Sequence, residues 1–206
     1  MPPNAKRRSQ KDRSQSTQLE VLEATLRCIS RMGYASISLS EVAKEAGVSR
    51  GAITHHYGTK LDLAAAAADY FFTERYNRLM TLLAGDKKLT LDERLDILGK
   101  EFEDLFPVGF EIMVALRTDP DLQARCDALH ADRIEEMTQG YERMFPEFAP
   151  AASPRLLVGV VAAFFRGAAT EVFNSDSKQR YDEMKDVFKA MVRHYVAQEL
   201  SGKTKP

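Results

Sequence analysis

Ser38-Leu39-Ser40-Glu41-Val42-Ala43-Lys44-Glu45-Ala46-Gly47-Val48-Ser49-Arg50-Gly51-Ala52-Ile53-Thr54-His55-His56-Tyr57 decides how this chain is read. Ser38 with Glu41 three residues on is a capping-box start for a short helix. Gly47 supplies the positive φ that a tight turn needs, and Ser49 caps a second short helix. Val42, Val48 and Ile53 are spaced to face one shared core, and Ala43 is small enough for the two helices to cross steeply. The segment is therefore a helix-turn-helix. The N-terminus of its second helix points outward, where free N–H groups and the helix dipole favour a phosphate.

Outward from it, the apolar periodicity is helical throughout. Leu19, Leu22, Leu26 and Ile29 form one stripe, and the spacing predicts a helix from about Thr17 to Met32, stopped by Gly33. An Ala-rich helix is predicted over about 60–83. A fifth stripe through Leu91, Leu95, Leu98, Phe102 and Leu105 is expected to stop at Pro107, with a short helix over 109–117 after it. Leu122, Cys126, Leu129, Met137, Tyr141 and Met144 predict one long helix, Ser153-Pro154 opens another through about Phe173, and a last runs over about 181–200. No alternating strand pattern competes, so the fold class is all-α. Residues 1–15 are rich in Pro, Ser and charge and read as a flexible basic arm.

Charge supports a polyanionic partner for one end. The net charge of −1 divides into +5 over residues 1–60 and −6 over 61–206. No apolar run approaches the 18 or more residues of a membrane span, and no signal core follows Lys6-Arg7-Arg8, so a cytoplasmic location without membrane attachment is expected. Two cysteines, Cys28 and Cys126, are too few for a disulfide framework or a zinc site and read as buried small hydrophobes. No nucleotide loop, nucleophile elbow or His/carboxylate metal spacing occurs. The chain is therefore read as a binding protein and not an enzyme, with no cofactor and no metal; the adjacent His55 and His56 point about 100° apart on a helix.

From Thr17 to about Phe72 the chain closely resembles the DNA-binding domain of TetR-family regulators. The resemblance rests on Arg31-Met32-Gly33-Tyr34, Val42-Ala43-Lys44-Glu45-Ala46-Gly47-Val48-Ser49, Gly51-Ala52-Ile53-Thr54-His55-His56-Tyr57 and Gly58-Thr59-Lys60-Leu61-Asp62-Leu63. It implies an N-terminal three-helix helix-turn-helix domain over 16–60 and a larger helical ligand-binding and dimerisation domain over 61–206. It further implies that Arg50, Gly51, Ala52, Thr54 and His55 face the major groove, that Ser40, His56 and Lys60 touch phosphates, and that Tyr57 plugs the domain core. Thr54 and His55 depart from the aromatic or tyrosine pair that is frequent there. The function so implied is a transcriptional repressor on a palindromic double-stranded DNA operator, released by a small hydrophobic or amphipathic effector. The alternative is a DNA-binding regulator or architectural protein without ligand control, or an activator.

The residues of the larger domain agree in part. Leu156–Phe173 is apolar nearly all round and must be covered on most sides. With the stripe Met184, Phe188, Met191, Tyr195 it suggests a homodimer through the last two helices, with Ala163 and Gly167 where backbones approach and Phe188, Met191 and Tyr195 beside them. Phe102, Phe106, Phe110, Met113 and Phe164 are candidates to line an effector pocket, with Arg117 and Arg166 as polar groups inside apolar runs. An ordinary core and an interface ion pair involving Glu171 are the competing readings of the same residues.

Overall fold

The computed structural model describes residues 10–83, 89–131, 133–149, 151, 153–173 and 177–202. Among these there are nine α-helices and no strand: α1 (Gln10–Met32), α2 (Leu39–Ala46), α3 (Arg50–Tyr57), α4 (Lys60–Leu83), α5 (Leu91–Thr118), α6 (Pro120–His130), α7 (Ile134–Met144), α8 (Pro154–Ala168) and α9 (Ser177–Gly202). Short 3-10 turns follow α1, α7 and α8. The all-α class read from periodicity is what the chain adopts.

Four expected boundaries are corrected. Helix α1 starts at Gln10 and not at Thr17, so residues 10–15 of the expected arm are helical. Gln, Lys and Arg are good helix formers, and no Gly or Pro interrupts them. The rest of that arm, residues 1–9, lies outside the described residues. Pro107 does not stop α5 but sits inside it. A proline there forfeits one backbone bond and costs ~3 kcal/mol, yet Leu98, Phe102 and Phe106 before it and Ile112 and Ala115 after it are all buried. Burial at about 1.5–3 kcal/mol per large side chain outweighs the break. The long helix expected through Leu122–Met144 is two helices, α6 and α7. At the end of α6 the His130 Nδ1–H donates to the Cys126 carbonyl at 2.8 Å, and Arg133 turns to the Thr73 hydroxyl at 3.1 Å. Finally, α8 ends at Ala168 and the chain continues to Phe173 as a 3-10 turn.

The chain forms two compact units. Among the described residues, the first is built by those up to Phe72 with Val108–His130, the second by those of Thr73–Pro107 with those from Ala131 on. The units therefore do not divide at residue 60, where the resemblance put the boundary. The start of α4 and the 108–130 segment both belong with the helix-turn-helix.

In the first unit, Val21, Ala24, Cys28 and Ile29 of α1 are buried, as are Val42, Ala43 and Ile53. The alanine run of α4 (Ala64, Ala65, Ala67, Ala68) lets neighbours pack close, and Leu63 and Phe71 fill what remains. The 108–130 segment reaches the same unit through Tyr34 Oη donating to Asp119 at 3.0 Å and an Arg125–Asp62 ion pair at 3.1 Å. Cys28 and Cys126 are buried, and burial pushes the Cys126 thiol up to about 11.

The second unit has its own aromatic core. Leu79, Leu95, Leu98, Phe102, Phe106, Phe145, Phe148, Val161, Phe165 and Phe188 belong to one cluster. Phe164 stacks on Phe188 with centroids 3.8 Å apart. Tyr181 donates its buried hydroxyl to the Gly99 carbonyl at 3.0 Å. Lys189 bonds both carboxylate oxygens of Asp96, tying α9 to α5.

Candidate nucleic-acid interface

Helix α2 begins with the complete capping box: the Glu41 amide donates to Ser38 Oγ and the Ser38 amide to the Glu41 carboxylate at 2.8 Å. It ends at Gly47 with φ 65°, a left-handed conformation that glycine adopts without strain. Ser49 then caps α3, its Oγ accepting from the Ala52 amide at 3.1 Å. Gly58 ends α3, again at positive φ, and the Thr59 hydroxyl caps α4 by accepting from the Asp62 amide. Each turn thus satisfies its own backbone, and α3 is held without spending its outer face.

That outer face carries the residues singled out from sequence. Arg50, Gly51, Thr54 and His55 are exposed and Ala52 half-buried, while Ile53 on the opposite side is fully buried. Thr54 bonds back to the Arg50 and Gly51 carbonyls. Ser40 is exposed at the start of α2. His56 is half-buried, its Nδ1 taking a 3.0 Å hydrogen bond with the Gln18 amide of α1. Lys60 is half-buried too: its ammonium donates to the Ala35 carbonyl at 2.9 Å and stands 4.7 Å from the Tyr34 ring centroid. Tyr57 is half-buried, and burial raises its phenol.

Sequence reasoning missed what braces this face. Arg27 and Arg31 of α1 both bond Glu45 of α2, at 3.0 and 3.2 Å. The Arg27 and Arg31 hydrogen bonds hold the Glu45 carboxyl below its usual range. These are three ordinary surface charges in sequence, 14 and 18 residues apart, and no local pattern links them. Tyr34 is the second omission. Desolvation and the bond to Asp119 push its hydroxyl up to about 12, so it stays a donor at any working pH. With Ala35, Thr59, Lys60, Leu61, Thr118 and Asp119 it lines a cleft of about 590 Å³.

The candidate pocket residues are divided between the two units. Phe102, Phe106 and Phe164 pack in the core of the second unit. Phe110, Met113 and Arg117 belong to the first unit, where they are exposed. Arg166 belongs to the second and is exposed. The dimer set is corrected at one residue: Phe188 is buried inside its own protomer. Ala163, Gly167, Met191 and Tyr195 are exposed.

Residues 21–67 match the family described as bacterial regulatory proteins, tetR family. Over 122 residues the chain is 34% identical to the HTH-type transcriptional regulator CymR of Pseudomonas putida, a match covering 57% of this chain and 60% of that protein. It is 34% identical over 119 residues to the HTH-type transcriptional repressor AcnR of Corynebacterium efficiens, covering 55% and 58%. The matched part thus spans less than two thirds of these curated relatives. A transcriptional regulator from Saccharomonospora viridis, solved in complex with choline, shares the fold with a TM-score of 0.66 at 19% identity, over 87% of this chain and 97% of that one.

Proposed function

We propose that this chain, whose N-terminal domain is that of the TetR-family transcriptional regulators, is a homodimeric repressor that grips a palindromic operator and releases it when a small molecule binds its second unit. The observation that carries this reading is α3: capped at its start, anchored by Ile53, and exposed at Arg50, Thr54 and His55. A helix so presented fits the major groove, where Arg reads guanine and neighbouring groups take phosphates. Ser40, His56 and Lys60 flank it and suit backbone contact.

The two-fold partner is a second copy. Helix α8 has two apolar faces. Val161, Phe165 and Ala168 are buried in the protomer, whereas Leu156, Val160, Ala163 and Gly167, at helical spacings of four, three and four, form an exposed stripe. Val187, Met191 and Tyr195 continue an exposed apolar ridge on α9. Covering both against the same helices of a second copy buries them, and a two-fold dimer presents its two recognition helices about one helical turn of DNA apart, roughly 34–36 Å, or a multiple of it. The second unit, rich in aromatic residues and holding an enclosed Arg75 Nε without an acceptor among the described residues, suits a small effector, and the choline bound by the fold relative is consistent with that use of the fold.

The test is a gel shift on the chain's own promoter region. Arg50→Ala is expected to weaken operator binding by about 1–3 kcal/mol while leaving nonspecific binding little changed. Wild-type operator affinity in Arg50→Ala, or a footprint showing one asymmetric half-site, would refute the reading.

A further inference from the structure

The second unit contains a guanidinium whose enclosed Nε finds no acceptor among the described residues. Arg75 on α4 is partly buried, its Nε is fully enclosed, and that Nε has no hydrogen-bond acceptor among the described residues. Its guanidinium carbon lies 3.8 Å from the centroid of the Phe102 ring, in cation–π contact. Burial works against its charge, as does Arg166 on α8, while Tyr141 and Glu101 favour it. Glu101 is 2% exposed; Arg78 takes its Oε1 at 2.6 Å, and its Oε2 is enclosed with no hydrogen-bond partner among the described residues. Neither Arg75 nor Arg166 has an ion pair or a hydrogen bond among the described residues; Arg166 is exposed, whereas the Arg75 Nε is enclosed.

An enclosed donor without an acceptor is costly. The cation–π contact satisfies the face of the guanidinium and leaves its in-plane N–H groups free. Those groups match a carboxylate in shape and charge. Phe102 and the Tyr76–Tyr141 pair, with centroids 5.4 Å apart, supply apolar and aromatic surface in the same unit.

We propose that Arg75 is the anchor for the effector, and that the effector is a small organic acid whose carboxylate pairs with Arg75 while its apolar body lies toward Phe102 and Tyr141. This rests on the ligand-released repressor reading and specifies the chemistry of the ligand. Such sites are mostly apolar with few placed polar groups, and the exclusion is as definite as the choice: a cation meets net positive charge, and a neutral amide leaves Arg75 uncompensated.

The experiment uses the full chain and defined probes: benzoate and hexanoate, their neutral amides, and choline, each titrated calorimetrically at constant ionic strength. The acids are expected to bind at micromolar to millimolar concentration and the amides and choline at least tenfold more weakly. Arg75→Gln is expected to lose roughly 10- to 100-fold of acid affinity, as for hydrogen bonds to a charged group. Arg75→Lys, which keeps the charge but not the fork, is expected to fall between. A purely structural Arg75 predicts that Arg75→Gln lowers the melting temperature without ligand. An anchor left unpaired predicts that it does not. Binding of the amides or choline as tight as that of the acids, acid binding unchanged in Arg75→Gln, or no acid binding at all overturns the proposal. Gel shifts separate the two levels. Operator release by an amide but by neither acid overturns this site and keeps ligand control. Arg75-dependent acid binding without release keeps the site and overturns ligand control.

Discussion

Replacing Met191 by Arg tests the proposed dimer, on which the proposed operator recognition depends. Leu156, Val160, Val187 and Met191 are 67, 48, 62 and 64% exposed in the protomer. Fully burying such a side chain is worth about 1.5–3 kcal/mol. Scaled by those exposures, the four contribute roughly 4–7 kcal/mol per protomer, twice that for a two-fold interface. Association costs about 4–15 kcal/mol in lost freedom, so the margin is small and one residue can decide it. Met191 carries about 1–2 kcal/mol of this per copy, hence about 2–4 kcal/mol per dimer. Its loss is expected to raise the dimer dissociation constant roughly 30- to 1000-fold, before the cost of burying the new charge. Sedimentation velocity at micromolar concentration reads it directly. Circular dichroism is expected to stay helical, because Met191 is not part of the protomer's core. Operator affinity is expected to fall with the dimer and nonspecific DNA affinity far less. Gly167→Arg provides the same test on α8, where a side chain at residue 167 meets nothing in the protomer. If both variants sediment as wild-type dimers, the exposed stripes of α8 and α9 are not the interface and the reasoning fails.

Other perturbations probe the frame behind the site. A Cβ at Gly99 stands 2.7 Å from the Phe165 ring, which is fully buried. Gly99→Ala is expected to cost about 1–3 kcal/mol by urea denaturation, with Phe165→Leu in the same chain recovering part of it; a stabilised Gly99→Ala would contradict the packing. Ser38→Ala removes half of the capping box and is expected to cost ~1 kcal/mol of stability, with operator binding weakened as α2 frays. Glu45 has its carboxyl held low by Arg27 and Arg31. Its contribution is therefore present above the unfolded value of about 4.3 and is lost as pH falls below that through the folded one. Glu45→Gln is expected to flatten the acid limb of a melting-temperature profile, and an unchanged limb would remove the clamp from the account.

The features legible in sequence were local. The helix-turn-helix was readable because each of its requirements is met within a few residues: Ser38 with Glu41, Gly47 at its turn, Ser49 as a cap, Val42 and Ile53 inward. Helical periodicity declared the all-α class for the same reason, and the apolar surplus of α8 was visible as composition. Tertiary structure decided whatever depends on distant partners. Pro107 reads as a stop in isolation, and only packing on both sides carries α5 through it. Phe188 and Met191 share a stripe in sequence, but three residues turn a helix by about 300°, enough to put Phe188 against Phe164 and leave Met191 outside. Arg75 is an unremarked charge in an Ala-rich helix until folding sets it over Phe102 and gives the nearby carboxylate to Arg78. Local signals report backbone satisfaction, which neighbours in sequence can supply. Whether a side chain is core, interface or unanswered charge depends on groups tens of residues away, and only the folded chain brings those together.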